Sequence, residues 1–189
     1  GVVDFKEKTT GGASIVREAE LFVAEHKDDR FFAFVNFNDP HEPWQPAKEM
    51  IDRIPVPPEG PSDPGARAYL AEAMRDDAYV GSILRALDAN GLRNHTIVVL
   101  TSDHGETLSS EHDGVSSFDP ISMRYHHQTG AYEETTHVPM VVRLPNVLPA
   151  ASVSEPVSTV DIVPTILDLE GLSTPPHVTG VSLLSYARG

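Results

Sequence analysis

Residues 97–106 (IVVLTSDHGE) constrain the fold of this chain more than any other segment. An apolar, largely β-branched run stops abruptly at Asp103 and His104, and Gly105 follows directly. Such a run is typical of a buried parallel strand, and ligands of open α/β sheets bind just beyond the carboxyl ends of the strands. A carboxylate and an imidazole in that turn can both reach one divalent metal ion, and Gly105 permits a backbone conformation that a Cβ would penalise. The alternative is a solvated turn after an ordinary strand.

The segments around this one alternate between helical and extended patterns. Residues 14–27 are predicted to form an amphipathic helix with Ser14 as its N-cap, and a long helix over residues 66–90 should stop at Gly91. The other predicted elements are strands at 31–37, 96–102 and 138–144, loops at 38–44, 54–65 and 105–131, and a helix at 161–169 that ends at Gly171. This order predicts an α/β fold in which helices sandwich a mainly parallel sheet.

The composition excludes several classes of protein. A chain of 189 residues, 40% hydrophobic and 22% charged, is long enough for one domain with a core and is not disordered in character. The absence of cysteine excludes disulfides and thiolate metal sites. No apolar run approaches the roughly 20 residues of a membrane-spanning helix. The net charge of −14 argues against nucleic acid as a partner.

The negative charge has an unusual composition. The 28 acidic residues stand beside ten arginines and only four lysines. Both a surface adapted to high salt and an ordinary acidic mesophilic protein would have this balance. An acidic surface repels substrates that bear sulfate or phosphate unless a metal ion or local cations reverse the field, and this favours a metal site.

Two predicted loops hold further side chains capable of chemistry. In the loop at 38–44, His41 lies between two prolines that exclude regular structure; its alternative role is a turn residue buried against Trp44. The loop at 105–131 is longer than usual for a compact domain, and such loops are commonly functional or disordered. Its candidates are Glu106, Glu111, His112, His126 and His127.

Several segments, taken in order, resemble the sulfatases of the alkaline-phosphatase-like superfamily. They are residues 31–44 (FFAFVNFNDPHEPW), 79–106 (YVGSILRALDANGLRNHTIVVLTSDHGE), 126–145 (HHQTGAYEETTHVPMVVRLP), 158–172 (STVDIVPTILDLEGL) and 180–184 (GVSLL). The resemblance implies an alkaline-phosphatase-like fold and a metal-dependent sulfuric ester hydrolase. Its substrate would be a small-molecule or glycan sulfate ester.

The resemblance assigns roles to four side chains. Asp103 and His104 match the pair that holds the divalent cation, expected to be Ca²⁺, with Mn²⁺ and Zn²⁺ as alternatives. His41, in its Asp-Pro-His-x-Pro loop, matches the histidine that touches the sulfate group. His127 matches the lysine or histidine near the leaving-group oxygen, where it could donate a proton or a charged hydrogen bond. His126 is the alternative, because the register there is fixed only to within a residue or two.

One part of the family pattern is missing. The chain has no cysteine and no Ser-x-Pro-x-Arg or Thr-x-Pro-x-Arg segment, and the formylglycine nucleophile of the family is formed in such a segment. Residues 1–189 are therefore expected to be a partial catalytic domain without the nucleophile-bearing N-terminal part and the small C-terminal subdomain. Because Ca²⁺ prefers 6–8 oxygen ligands, this chain alone is expected to bind metal weakly and to be inactive. An exposed sheet edge would favour self-association.

Two other functions stay open. The Asp-His pair also permits a phosphodiester or phosphonate monoester hydrolase, or a phosphotransferase, of the same superfamily. The third hypothesis is a non-catalytic remnant that serves as a binding module. The four matching side chains argue against it, because a decaying site should lose such side chains first. His137 either supports the site or lies on the surface.

Overall fold

The structure, a computed structural model, describes residues 2–5, 11–56, 63–108, 127 and 131–187. The chain forms two compact units, Gly1–Arg93 and Asn94–Gly189. Within the described residues, each unit has its own helices and its own pair of strands.

The first unit is built on a strand–helix–strand element. Its secondary structure consists of β1 (Val2–Phe5), α1 (Gly12–Glu25), β2 (Phe32–Val35), α2 (Lys48–Ile51) and α3 (Pro64–Ala89). β1 and β2 pair in parallel, from Val2 opposite Phe32 to Phe5 opposite Val35. Parallel neighbours need a crossover connection, and α1 lies in that connection.

The apolar residues of α1 supply most of the core of the first unit, where α1 packs against α3. Its buried apolar side chains recur at helical spacing, which confirms the predicted amphipathic helix: Ile15, Val16, Ala19, Phe22 and Val23. The predicted N-cap is wrong. Gly11 is the N-cap, no side chain of the described residues caps the helix, and Ser14 lies within the first turn, where its N–H donates to the Gly11 carbonyl at 2.8 Å.

The helix α3 begins and ends at residues whose chemistry explains both ends. Asp63 Oδ1 accepts the N–H groups of Gly65 and Ala66 at 2.8 and 3.2 Å. Pro64 is the first helical residue, where its missing N–H removes no intrahelical bond. Gly91 follows the helix with φ of 74°, a left-handed conformation that glycine adopts without a Cβ penalty, and this confirms the predicted stop.

The second unit pairs two strands in antiparallel fashion. Its elements are β3 (Val98–Thr101), α4 (Glu133–Thr136), β4 (Met140–Arg143), a 3₁₀ helix (Thr159–Asp161), α5 (Ile162–Leu169) and α6 (Leu184–Ala187). β3 and β4 run from Val98 opposite Arg143 to Thr101 opposite Met140. β3 therefore ends just before the Asp-His turn, as the sequence predicts.

The start of α5 is fixed by two buried polar side chains. Asp161 accepts the N–H of Ser158 at 2.8 Å and that of Val181 at 2.9 Å. The Thr165 hydroxyl donates to the Asp161 carbonyl at 2.6 Å and accepts the N–H of Leu183 at 2.9 Å. These bonds tie α5 to the chain segment that leads to α6.

The predicted α/β class is confirmed, but the predicted sheet is not. The described strands form one parallel pair and one antiparallel pair, and they do not form a single mainly parallel sheet. An apolar run marks a strand without encoding its direction, so β4 could not be recognised as the antiparallel neighbour of β3. Within the part of the chain that the structure describes, no helix has the length and apolar character needed to cross a membrane.

Candidate active site

Asp103 and His104 lie in the turn that follows β3. The His104 N–H donates to Asp103 Oδ1 at 2.9 Å, and the Ser102 hydroxyl donates to the His104 carbonyl at 2.6 Å. These bonds hold the turn and bring Asp103 Oδ2 to 3.8 Å from His104 Nε2. The Asp103 side chain is 87% exposed, so its carboxylate is open to a ligand.

The imidazole of His104 is oriented by its own backbone. Its Nδ1 lies 2.7 Å from the carbonyl oxygen of Gly105. A carbonyl oxygen only accepts hydrogen bonds, so Nδ1 carries a proton, and in the neutral ring Nε2 keeps its lone pair. Metal-binding histidines are commonly oriented in this way, by a hydrogen bond from the ring nitrogen that does not bind the metal.

Gly105 connects this turn to α4. Its N–H donates to the Thr135 carbonyl at 2.8 Å, and a Cβ at this position would collide with the carbonyl oxygen of Glu134. Among the described glycines, the left-handed ones are Gly91 and Gly171. A Cβ is therefore penalised at Gly105, as predicted, but the cause is the close approach of another backbone segment and not a left-handed torsion angle.

His127 lies beside His104. The centroids of the two imidazole rings are 3.8 Å apart, with an interplanar angle of 31°. Nδ1 of His127 is 3.7 Å from Oε1 of Glu106, a buried carboxyl that also accepts the Thr107 N–H at 3.2 Å. The structure thus brings together two of the predicted site residues, and Glu106 with them.

The environment of Glu106 favours its protonated form. Burial raises the pKa of the Glu106 carboxyl, and this effect exceeds the opposing ones of the Thr107 N–H and of the His127 and His104 imidazoles.

His41 lies in the loop between β2 and α2, within the first unit. Its N–H donates to the Asn38 carbonyl at 3.0 Å, and its Nδ1 lies 2.8 Å from the Glu42 carbonyl oxygen. Nδ1 therefore carries the proton, and Nε2 is available to a ligand. His41 is exposed, so the alternative of a turn residue buried against Trp44 is wrong. The Trp44 indole N–H instead donates to the Pro40 carbonyl at 2.7 Å.

A buried charge cluster lies under this loop. Asp39 and Glu72, whose side chains are 7% and 2% exposed, each place a carboxylate oxygen 2.5 Å from Nη2 of Arg75. The other oxygen of Glu72 accepts the Gln45 N–H at 3.0 Å. Burial raises the pKa of the Glu72 carboxyl, although the Gln45 N–H and the Arg75 charge oppose this.

The exposed side of the loop borders an open, polar pocket with a volume of about 400 Å³. His41 and Arg75 are both in its wall. The complete lining is Asn38, Asp39, His41, Glu42, Pro43, Gln45, Glu72 and Arg75.

The order of these features along the chain matches a known family. The family model described as Sulfatase covers residues 12–172, which include the His41 loop, the turn after β3 and all of α5. The chain belongs to the sulfatase family. This confirms the resemblance drawn from the sequence, within the alkaline-phosphatase-like superfamily.

Individual sulfatases share long segments with this chain. Arylsulfatase K from Bos taurus is 40% identical over 116 residues, which are 61% of this chain and 19% of that protein. An ulvan-active sulfatase from Formosa agariphila is 28% identical over an alignment of 186 positions, which covers 90% of this chain and 34% of that protein.

A solved structure shares the fold. The crystal structure of Ps i-CgsB in complex with k-i-k-neocarrahexaose is similar over 95% of this chain and 39% of that one, with 26% identity and a TM-score of 0.68. The chain thus spans from about a fifth to about two fifths of the length of these relatives.

Sulfatases generally use a divalent metal ion and formylglycine. The Asp-His turn fits part of such a metal site. Bonds from Zn²⁺ to nitrogen or oxygen are about 2.0–2.2 Å long, so two donor atoms of one ion are at most about 4.4 Å apart. The 3.8 Å between Asp103 Oδ2 and His104 Nε2 meets this limit. The described residues contain no cluster of three or more His, Asp or Glu side chains that could hold an ion, so further ligands are needed.

Other candidates are placed differently or not at all. His126, Glu111 and His112 lie outside the described residues, so the choice between His126 and His127 stays a prediction. His137 is on the surface, with Nδ1 3.3 Å from Oε1 of Glu133.

Sequence reasoning missed the cluster of Asp39, Glu72 and Arg75. Its one local signal is the spacing of Glu72 and Arg75, three residues apart on α3, which suits an ion pair. Nothing local links them to Asp39, 36 residues before Arg75.

Proposed function

We propose that this chain carries part of the active site of a metal-dependent sulfate ester hydrolase. The sulfatase family match over residues 12–172 is the observation that carries the proposal. The geometry of the turn after β3 supports it, because a carboxylate and an imidazole with a free Nε2 are adjacent there.

Asp103 and His104 would be two of the metal ligands. A bound divalent ion polarises the sulfuryl oxygens and stabilises the negative charge that develops on them. Ca²⁺ is the first ion to test. The nitrogen of His104 also suits Mn²⁺ or Zn²⁺, since imidazole is a softer ligand than carboxylate or water oxygen.

His41 would contact the sulfate group. Its Nδ1 is committed to the Glu42 carbonyl, so Nε2 faces the ligand, and when protonated it donates a charged hydrogen bond to a sulfuryl oxygen. The loop holds the ring by backbone bonds and leaves it exposed to solvent.

His127 would protonate the leaving-group oxygen as the S–O bond breaks. Glu106 Oε1 is 3.7 Å from Nδ1 of His127, and when Glu106 is ionised its charge would stabilise the imidazolium form before proton transfer. This is the arrangement of a general acid supported by a neighbouring carboxyl.

The nucleophile would come from outside residues 1–189. We assign it to formylglycine in a preceding segment, in keeping with a partial catalytic domain, and expect this chain alone to be inactive. The relatives suggest a glycan sulfate ester as substrate, since one is named as ulvan-active and another is solved with an oligosaccharide.

The test is a substrate panel with the full-length protein. Para-nitrophenyl sulfate, para-nitrophenyl phosphate and a phenylphosphonate monoester are assayed after EDTA treatment and after addition of Ca²⁺, Mn²⁺ or Zn²⁺. We expect sulfate ester hydrolysis that chelation abolishes and one ion restores. Preferential cleavage of a phosphate or phosphonate ester would assign the protein to the phosphoryl-transfer branch, and no cleavage of any ester would favour a binding module.

Two variants connect activity with named side chains. His41→Ala should lower kcat by about 10²–10³-fold, the usual cost of one hydrogen-bond donor to the reacting group. Asp103→Asn should raise the metal concentration needed for half-maximal activity. His177→Ala is the control, because it removes an imidazole that is exposed in the second unit; equal losses in all three variants would contradict the assignment.

A further inference from the structure

The loop that carries His41 is attached to α3 at both of its ends by one set of charged groups. Asp39 lies two residues before His41, and its Oδ1 is 2.5 Å from Nη2 of Arg75. Gln45 lies four residues after His41, and its N–H donates to Oε1 of Glu72 at 3.0 Å. Arg75 therefore contacts Asp39 directly. It also holds Glu72, the acceptor of the Gln45 N–H, because Glu72 Oε2 is 2.5 Å from the same Nη2.

The carboxylates of Asp39 and Glu72 share one cation. Within the described residues, Arg75 is the cation in both of these ion pairs. Asp39 Oδ2 is buried and accepts no hydrogen bond, and a Cβ on Gly12 would press against it, so this carboxyl is confined by packing. Buried carboxylates that lose their cation repel each other and draw in water or a proton.

The loop also contacts α3 through Trp44, and this contact depends on the position of Asp39. Trp44 bonds to the Pro40 carbonyl, and its indole packs edge-to-face on Tyr69 of α3, with the centroids 5.7 Å apart. Pro40 directly follows Asp39, so movement of Asp39 would disturb this contact. Within the part of the chain that the structure describes, the His41 ring is oriented by its bond to the neighbouring Glu42 carbonyl, and its position therefore follows that of the loop.

We propose that Arg75 is a positioning residue: by bridging Asp39 and Glu72 it fixes both ends of the loop and so sets the place of His41 against the sulfate group. The catalytic part of this inference rests on the proposed function, whereas the structural part does not. Arg75 itself need not touch the substrate.

The structural part is tested by hydrogen exchange in the full-length protein. Arg75→Met keeps much of the side-chain volume and removes the charge; we expect the Gln45 amide and the 38–45 peptide to exchange at least about tenfold faster. Arg93→Met is the matched control, because it breaks an exposed Arg–Asp pair with Asp88 in the same unit. Unchanged exchange in Arg75→Met, or equal acceleration in Arg93→Met, would overturn the proposal.

The catalytic part is tested by a double-mutant cycle on para-nitrophenyl sulfate hydrolysis. Misplacement of a catalytic group by about 1 Å can cost about 10²-fold, so Arg75→Met should lower kcat by about 10- to 100-fold while KM changes little. In a His41→Ala background the same substitution should have almost no further effect. An equal effect in both backgrounds would show that Arg75 does not act through His41.

Arg75→Lys covers the case in which the methionine variant does not fold. Lysine keeps the charge but lacks the planar fork that reaches two carboxylates, so exchange and kcat should lie between those of the wild type and the methionine variant. Wild-type kinetics and wild-type exchange in Arg75→Lys would overturn the proposal. If the wild type cleaves no sulfate ester, the proposed function fails, and the hydrogen-exchange result still decides whether Arg75 holds the loop.

Discussion

Gly105 is constrained by the approach of a neighbouring backbone and not by its own torsion angles. The turn with Asp103 and His104 is attached to α4 where the Gly105 N–H meets the Thr135 carbonyl at 2.8 Å. At this contact there is no room for a methyl group in front of the Glu134 carbonyl. The sequence therefore indicated that a Cβ is unfavourable at Gly105 but not which atoms exclude it, because spacing along one strand carries no information on what packs against it.

Gly105→Ala should destabilise the second unit. Overpacking of this kind typically costs about 1–3 kcal/mol, and here the atom in the way belongs to the backbone, which yields less readily than a side chain. Chemical denaturation measures the loss. Gly81→Ala is the control: Gly81 lies within α3 and its nearest neighbour is the flexible end of Arg85, so alanine should stabilise by about 0.5–1 kcal/mol. A neutral Gly105→Ala would mean that α4 moves away easily.

At the scale of helices and strands, the sequence predicted the features that depend on a local pattern of residues. The helices α1, α3 and α5 have apolar periodicity over several turns, and Gly91 and Gly171 end two of them as expected. Three helices of four residues each, α2, α4 and α6, were missed, because one turn is too short to show a period. Strand direction was also missed, since β3 and β4 have similar apolar runs and pair by tertiary context.

The junction between α3 and the His41 loop should give stability a pH dependence. Burial raises the pKa of Glu72 in the folded state, so the folded protein binds this proton more readily than the unfolded chain. The contribution of Glu72 to stability is therefore greatest below the unfolded pKa and is lost as the pH rises through the folded pKa. Glu72→Gln removes this contribution, and the unfolding free energy of the variant should decline less with rising pH.

Urea denaturation over a series of pH values measures the slope of the unfolding free energy against pH. The slopes are compared, and not the absolute free energies, because the variant also loses an ion pair with Arg75. Glu49→Gln serves as the control, since it removes one negative charge from an exposed position on α2. A Glu72→Gln slope equal to that of the wild type would contradict a raised pKa of the Glu72 carboxyl in the folded protein.

At the scale of the whole molecule, the net charge of −14 acts on the folded state through self-repulsion. Raising NaCl from low ionic strength to about 1 M shortens the Debye length to about 3 Å and screens this repulsion. The Tm should rise by about 2–4 °C, the shift that about 1 kcal/mol produces in a chain of this size. Scanning calorimetry in NaCl and KCl measures it. A Tm that falls, or that responds to only one of the salts, would point to specific ion binding.

The candidate site was predictable in part. Residues in short local motifs could be recognised, whereas contacts between distant segments of the chain could not. Asp103, His104 and His41 could be named because each lies in a short motif at the end of an apolar run. The proximity of His127 to His104 follows only from the resemblance, as 22 residues of weak periodicity separate them. The cluster around Arg75 could not be found, because its partners are brought together by the packing of α3 under a distant loop.

Trp44 gives this protein a built-in optical probe. It is the only tryptophan of the chain, and its indole is hydrogen-bonded and packed within the loop that carries His41. Tryptophan emission responds to local polarity and to the loss of such contacts. In residues 1–189, selective excitation would therefore report on this loop, so that ligand entry and loop opening could be followed by fluorescence without attaching a label.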